Sequence, residues 1–551
     1  MTEAATGSIA GNLEILGSRA AVFASKRPAV TSGLLGLIAA LGYPPVHGWW
    51  IALPALALFL AHLHHAPTWR AALLNGWAFG WAHLTLANNW IATAFTYQAK
   101  MPELLGWVAV PLLCIYLAVY PALAALIAHL AGRCAGPISF GLMFAAAWIV
   151  TEWLRSWVFT GYPWPPLGLM LLGGCETPGI ARLLPWLGTY ALSGLAIVLA
   201  SFIVCAFAGS SRPVKASSAW VLGAATVMMF VPAVGSGEEE TGIRFRLVQP
   251  LIPQEEMNDG SKFEEQFQRT ARLTAPGNDT SRLVLWPESS LPDFLEDGYP
   301  QRYYNEFTFA ADPTIARERI GRLIGPESTL LAGVINFNIG ERPAGRPAAV
   351  SARNSVIAMN GEGVIGQEYA KAHLVPYGEY LPMEWLLKPL GLDRLTAGGI
   401  PYIPGPGPQT LDLGEHGKAG IQICYEIVFS GQVVDRENRP DYLFNPSNDG
   451  WFGMWGPPQH FAQARMRALE EGLPVLRSTT TGISGLIDAN GVVVRNIAKG
   501  EAAAIEGTIP QARAPTLFAR FGNALAIVWA AFLAIMALAV PRLLALYGSR
   551  G

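Results

Sequence analysis

The chain is short of charge: only 14% of its 551 residues are Asp, Glu, Lys or Arg, against about 25% in ordinary soluble domains. The 38 basic and 40 acidic residues nearly cancel and leave a net charge of -2. Phosphate recognition needs clustered Lys and Arg, so nucleic acid is excluded as a partner. Cysteine is scarce too. Of five in all, Cys114, Cys134, Cys175 and Cys205 fall in or beside apolar runs. Cys424 stands alone in the long hydrophilic stretch, so no disulfide framework can staple that stretch and a free thiol remains there.

What the chain has in excess is apolar surface, with 52% hydrophobic residues. Runs near 30–44, 47–62, 71–92, 105–130, 138–158, 184–208 and 216–234 read as seven spans, and another follows near 522–547. The expectation is a polytopic α-helical membrane part of about eight spans. Because other runs follow the first, it reads as a retained span and not a cleaved signal. With the N-terminus inside, Arg19, Lys26, Arg27, Arg70, Arg133, Arg212, Lys215, Arg542 and Arg550 collect on the cytoplasmic side. The opposite loops hold chiefly Lys100 and Arg182. Residues near 235–520 then project outward from the cytoplasmic membrane, into the periplasm if the cell is Gram-negative. The expected units are 1–235, 243–512 and 518–551, the last a membrane helix with a cytoplasmic tail.

Two polar groups stand out among the spans. Glu152 and Arg155 lie one helical turn apart near Gly161-Tyr162-Pro163-Trp164, and a mutual clamp is favoured over a direct functional role. His62, His64 and His65 have metal-like spacing without a carboxylate or thiolate nearby, so no metal is expected there.

From about residue 243 the pattern changes to short β-rich runs between amphipathic stretches. Strands are expected at 244–249, 283–286, 329–337, 353–359, 364–369, 418–424, 441–445 and 474–480, with helices at 260–273, 313–324 and 459–472. Asn360-Gly361 and Asn490-Gly491 are hairpin signals. An α/β sandwich of roughly 270 residues results, within the range of one large domain.

Chemistry collects where these strands end. Trp286-Pro287 stops one strand, because proline cannot donate to a continuing ladder, and leaves Glu288 at its edge. The loop Tyr369 to Glu379 presents Lys371 and Glu379 after another, and Cys424-Tyr425-Glu426 closes a third. Singly, Cys424 reads as a core thiol and the charges as solvated loop residues. Together they supply a nucleophile, a base to take its proton and a cation where an oxyanion develops, which is what acyl transfer needs.

These residues resemble the Glu-Lys-Cys triad of the nitrilase superfamily, and with the flanking spans the whole chain resembles the apolipoprotein N-acyltransferase family. Trp286-Pro287-Glu288, the run Tyr369 to Glu379, Cys424-Tyr425-Glu426, and Asn445 to Gly453 carry the resemblance; Gln459-His460 and Arg465 to Glu470 extend it. It implies a nitrilase-like four-layer αββα sandwich and transfer of a phospholipid acyl chain to the α-amine of a diacylglyceryl-modified N-terminal cysteine. By the same resemblance Glu288, Lys371 and Cys424 match the catalytic triad, while Glu379, Tyr425 and Glu426 match further positions linked to activity. The family often carries Lys-Trp where this chain has Met257-Asn258, which puts a stacking or gating tryptophan there in doubt.

The expected scheme is ping-pong through a Cys424 thioester, without metal or cofactor. The partners are a phospholipid acyl donor, a diacylated apolipoprotein acceptor and the lipid bilayer. Lifting a lipid tail out of the bilayer costs about 0.8 kcal/mol per CH₂, so the active face should touch the membrane. Met383, Trp385, Leu386 and Leu387 in one loop, and Trp451, Phe452, Met454 and Trp455 in another, are the expected lids. His373 and His460 read as structural. The competing enzyme reading is a membrane-tethered amidase or hydrolase of the nitrilase type; the competing class is a transporter with an outer binding module.

Overall fold

The computed structural model of the protein describes residues 19, 21–97, 103–132, 136–209, 211–233, 240–257, 259–275, 281–341, 346–387, 389 and 400–548. Lys100, Arg133, Cys134, Asn258 and Arg550 lie outside the described residues, as do the side chains of Leu387 and Arg542.

The N-terminal apolar runs form helices α1 (Pro28–Ala40), α2 (Trp49–His64), α3 (Trp69–Ala87), α4 (Ile91–Tyr97), α5 (Glu103–Leu117), α6 (Val119–Gly132), α7 (Pro137–Arg155), α8 (Leu184–Ala208) and α9 (Arg212–Phe230). The run at 105–130, expected as one span, is interrupted at Ala118. Pro121 explains the break, because its ring excludes the carbonyl four residues back, that of Leu117. By length and composition the stretches Leu104–Gly132, Pro137–Arg155 and Ile180–Ala208 can cross a membrane; Pro28–Ala40, Trp49–His64 and Ala524–Val540 are shorter apolar helices. Close approach is bought with small residues. A Cβ on Gly36 would stand 2.3 Å from the Phe79 carbonyl oxygen, so α1 lies backbone to backbone on α3.

Glu152 and Arg155 are buried, 3.7 Å apart. Glu152 accepts from the Leu167 amide at 2.8 Å and from Trp148 Nε1 at 3.2 Å, while Arg155 donates to the Pro165 carbonyl at 2.8 Å. The pair ties the 164–167 segment to α7, which is the clamp. His62 reaches the Pro28 carbonyl at 3.2 Å and so fastens α2 to the start of α1.

The following stretch builds two six-stranded sheets. The first runs β12-β1-β2-β3-β4-β5, with β1 (Glu240–Gln249), β2 (Leu283–Leu285) and β3 (Thr329–Glu341) parallel, and β4 (Pro347–Asn360), β5 (Ile365–Ala370) and β12 (Ala503–Pro510) antiparallel to their neighbours. The second repeats the plan as β11-β10-β9-β8-β7-β6. Its parallel centre is β7 (Lys418–Ile421), β8 (Tyr442–Ser447) and β9 (Val475–Thr479), flanked by β6 (Thr410–Asp412), β10 (Ser484–Ile487) and β11 (Val493–Ile497).

Leu247, Leu285, Leu331 and Val356 of the first sheet meet Ile421, Tyr442, Phe444 and Leu476 of the second in one buried core, so the sheets lie face to face. Helices α10 (Phe263–Thr274) and α12 (Pro313–Ile324) cover the outside of the first through Phe267, Ala316 and Ile320. Helix α13 (Gly456–Glu471) covers the outside of the second through Phe461, Ala464 and Ala468. A short α11 (Gln301–Phe307) precedes α12, and α14 (Leu517–Phe521) leads into the C-terminal helix α15 (Ala524–Gly548).

Helix α13 also joins the two parts of the molecule. Gln459 donates to the carbonyls of Pro44 and Ala87, Arg465 to those of Gly173 and Gly174, and Glu470 accepts from the Thr189 amide at 2.6 Å. Each of these side chains is buried. A buried polar group without a partner costs about 1–3 kcal/mol, so this many satisfied contacts fix how the sandwich sits on the helices.

Candidate active site

The strand ends named from the sequence converge. Glu288 follows β2 and is 6% exposed; its Oε2 accepts from the Asn448 amide at 2.7 Å and its Oε1 from Asn354 Nδ2 at 2.8 Å. Lys371, the first residue after β5, is 1% exposed. Its ammonium lies 2.9 Å from Glu379 Oε1 and 3.4 Å from Glu288 Oε1, so one cation bridges two carboxylates. Burial alone would lower the Lys371 pKa, but Glu379 and Glu288 outweigh it and hold the group above its ordinary value. The ammonium is therefore fixed as a charge.

Cys424 does not end the strand, as the sequence suggested. Strand β7 stops at Ile421, and Cys424 opens a 3-10 turn that runs to Val428, with its own φ at +51°. That left-handed conformation is incompatible with a strand and costs a non-glycine residue about 1–2 kcal/mol. The thiol is buried, and burial followed by the Glu288 charge pushes its pKa well up, opposed by Lys371. Glu288 and Lys371 thus act on the thiol in opposite senses, the carboxylate favouring its protonated form and the ammonium its thiolate.

Glu379 Oε2 accepts from the Val375 amide at 2.7 Å, so the carboxylate that holds Lys371 also closes its own loop. Glu426 is wholly buried and takes four donors: Tyr369 hydroxyl, Ala372 amide and His373 amide on Oε1, and Ile423 amide on Oε2. It thereby pins the Lys371 loop to the Cys424 turn. Burial raises its pKa to about 7 against these donors. Tyr425 is buried among Val428, Phe429 and Trp164, and its hydroxyl reaches the Gly161 carbonyl at 3.4 Å.

Further residues complete the site, one with no role expected from the sequence and others expected only as structural or as part of the motifs. Asn354, in the interior of β4, donates from one amide nitrogen to both Glu288 and Glu379. Behind Cys424, His460 Nε2 lies 3.0 Å from the Cys424 carbonyl oxygen, and its Nδ1 lies against Asp449 and Arg477. Asn354 gave no signal, because a polar residue within a strand marks no particular face. The order Asn448-Asp449 before Gln459-His460 was visible, but not that both would lie under the nucleophile.

Two family models match in the same order as the two structural parts. The one described as Apolipoprotein N-acyltransferase N-terminal domain covers residues 35–203, and the one described as Carbon-nitrogen hydrolase covers residues 248–516. The Apolipoprotein N-acyltransferase of Rhodopseudomonas palustris is 32% identical over 534 residues, covering 93% of this chain and 94% of that protein. This chain belongs to the apolipoprotein N-acyltransferase family. It is accordingly an acyltransferase with a nitrilase-like α/β part. The Apolipoprotein N-acyltransferase of Rickettsia typhi is 30% identical over 506 residues, 89% of this chain and 94% of that one. Among solved structures, Saccharomyces cerevisiae Nit3, a member of branch 10 of the nitrilase superfamily, is 18% identical with a TM-score of 0.32, covering 48% of this chain and 90% of that one.

For this member of the family, the two apolar loops differ in placement. Met383, Trp385 and Leu386 are exposed, Trp385 at 78%. In the second loop Met454 is exposed, whereas Phe452 is half-buried against Trp90, Trp164 and His460, Trp451 faces the Tyr97 ring, and Trp455 packs on the α13 side. Met257 lies beside the site as well: its sulfur is 3.0 Å from Asn448 Nδ2.

Proposed function

We propose that this acyltransferase moves an acyl chain from a membrane phospholipid to the α-amine of the S-diacylglyceryl-cysteine at the N-terminus of an apolipoprotein, through a thioester on Cys424. The observation that carries the reading is the buried Lys371 ammonium bridging Glu288 and Glu379 beside the Cys424 thiol. In the first half-reaction Glu288 takes the thiol proton as sulfur bonds to the ester carbonyl carbon. The oxyanion forms against Lys371, the C–O bond breaks, and Glu288 passes the proton to the departing lysophospholipid oxygen. In the second, the neutral amine attacks the thioester, Glu288 takes a proton from nitrogen, and the C–S bond breaks with that proton returned to sulfur. The product is an amide. Glu379, Glu426 and Tyr425 support the geometry.

The surrounding architecture fits that chemistry. On this reading about eight spans, seven from the N-terminal membrane unit 1–235 and one from 518–551, whose tail is cytoplasmic, hold 243–512 on the periplasmic side of the inner membrane, where both lipidated substrates are anchored. The loops at 383–386 and 451–455 serve as lids that meet the bilayer, Trp385 by its exposure and Phe452 by packing its loop onto Trp90 and Trp164, in the connections between the N-terminal helices.

Mass spectrometry of the protein after exposure to phospholipid alone tests the thioester: an acyl mass is expected on the Cys424 peptide and lost in Cys424→Ala. Absence of the adduct under conditions that support turnover would refute the ping-pong scheme. Adding a diacylated lipopeptide separates transfer from hydrolysis. N-acylated peptide is expected, and free fatty acid in its place would mean a hydrolase.

A further inference from the structure

Cys424 sits in a strained backbone conformation, and something must hold it there. Its carbonyl oxygen accepts from His460 Nε2 at 3.0 Å, and Asn445 Nδ2 approaches it at 3.5 Å. Both side chains lead back to one guanidinium. Arg477, on β9, donates from Nη2 to both Asp449 oxygens at 2.8 and 2.9 Å and to His460 Nδ1 at 2.9 Å, and from Nη1 to Asn445 Oδ1 and to Ser447 Oγ. Arg477, Asp449, His460 and Asn445 are each at most 1% exposed.

The chemistry of these groups fixes the imidazole's proton. The Cys424 carbonyl can only accept, so the ring proton on that side sits on Nε2, while Nδ1 lies 2.9 Å from the Arg477 guanidinium, which can only donate, and 3.0 Å from Asp449 Oδ1, which can only accept. Asp449 holds the guanidinium, and burial followed by the Arg477 charge lowers the His460 pKa against the opposing pull of Asp449, which favours the neutral ring with its lone pair toward Arg477. The ring cannot swing away, because Trp164 and Phe452 flank it at 5.0 and 5.6 Å between centroids. The consequence falls on the peptide joining Cys424 to Tyr425. That bond is trans, so its N–H points opposite to the carbonyl that His460 holds. No acceptor among the described residues takes the Tyr425 N–H.

We propose that His460, held between Arg477 and Asp449 with its Nε2–H on the Cys424 carbonyl, is a positioning residue for the nucleophile. It anchors the Cys424–Tyr425 peptide, so that the thiol is aimed from the left-handed turn and the free Tyr425 N–H is left facing away from the anchor. The inference rests on the Cys424 thioester reading. His460 touches no substrate and exchanges no proton. Its effect should therefore appear in the rate of thioester formation, not in substrate affinity.

Two near-isosteric variants of the full-length enzyme separate its two hydrogen bonds. In His460→Asn the side-chain oxygen can still accept from Arg477, but the amide falls short of the Cys424 carbonyl. In His460→Gln the amide nitrogen can reach that carbonyl. Misplacing a reacting group by about 1 Å can cost roughly 100-fold. The expectation is that His460→Asn forms the Cys424 acyl adduct roughly 100-fold more slowly with the phospholipid KM within about threefold, while His460→Gln stays within about tenfold of the parent. If His460→Asn does not fold, His460→Met fills the same aromatic box without a donor and carries the same expectation. A donor-less variant within about threefold of the parent rate, or a Gln variant as slow as the Asn variant, would overturn the proposal. Failure of the parent enzyme to show an adduct during turnover would count against the thioester itself, and is told apart by being independent of residue 460.

Discussion

Asn354 Nδ2 donates to Glu288 Oε1 at 2.8 Å, and the second hydrogen of the same amide goes to Glu379 Oε1 at 3.0 Å. The Lys371 ammonium contacts those same two oxygen atoms. Two carboxylates thus share one cation and one neutral donor in a buried space. Asn354→Asp replaces the donor with a third anion, and Asn354→Ala removes one hydrogen bond from each carboxylate, about 1.5–3 kcal/mol apiece. Both should lower the rate of Cys424 acylation, and Asp, though nearly isosteric, should be the worse. An Asp variant that acylates faster than the Ala variant in the mass-spectrometric assay would show that the amide is not holding the carboxylates apart.

Glu426 predicts a pH dependence. Its carboxyl is raised from 4.5 to about 7 by burial, against four donors that favour the charged form. Between those two values the folded protein binds more protons than the unfolded chain, so this group's contribution to stability falls as pH rises across that window. Glu426→Gln removes the titration and sets an amide against donors. Thermal unfolding in detergent should show a lower Tm for the variant and a smaller decline from pH 5 to 7. Equal slopes in the two proteins would assign the decline to other groups.

These contacts mark where the sequence stops being readable. Helix α12 was fully legible, since an amphipathic run bounded by Asp312 and Gly325 gives Pro313–Ile324, with Asp312 capping the Thr314 and Ile315 amides. Glu288 and Lys371 were legible because proline and loop residues flag the strand ends that carry them. Strands β6 and β12 were passed over, and β10 and β11 were signalled only by the Asn490-Gly491 turn between them; β11 has three consecutive exposed residues and so lacks the alternation of a half-buried strand. The partners of the site were hidden for another reason. Arg477 in a buried strand and Asn354 in a hairpin strand act through residues 17 to 66 positions away, and no local pattern encodes such pairings.

Gly333 is a second kind of hidden requirement. It lies on β3 directly against the end of β2, where a Cβ would stand 2.6 Å from Glu288 Cα and 2.7 Å from both the Pro287 carbonyl oxygen and the Ser289 amide nitrogen. All three are backbone atoms, so nothing flexible can yield. Gly333→Ala should displace Glu288 and reduce Cys424 acylation by roughly 100-fold, the effect expected of a shift near 1 Å in a reacting group. Equal acylation rates in parent and variant would mean that the strand end has freedom the structure does not reveal.

Trp385 offers the clearest test of membrane contact. It is 78% exposed on a short helical turn, with Met383 and Leu386 beside it at 43% and 42%. A soluble surface gains nothing from such a patch, whereas burying one large apolar side chain in a bilayer contributes about 1.5–3 kcal/mol. Trp385→Ser should therefore raise the KM for phospholipid presented in vesicles by roughly tenfold or more, from that same range. Acylation of Cys424 by a water-soluble short-chain ester should be unchanged, because a side chain this exposed makes no contribution to reaction at a buried thiol. A variant impaired equally on both donors would place Trp385 in the chemistry and not at the lipid surface, and one impaired on neither would remove this loop from membrane contact.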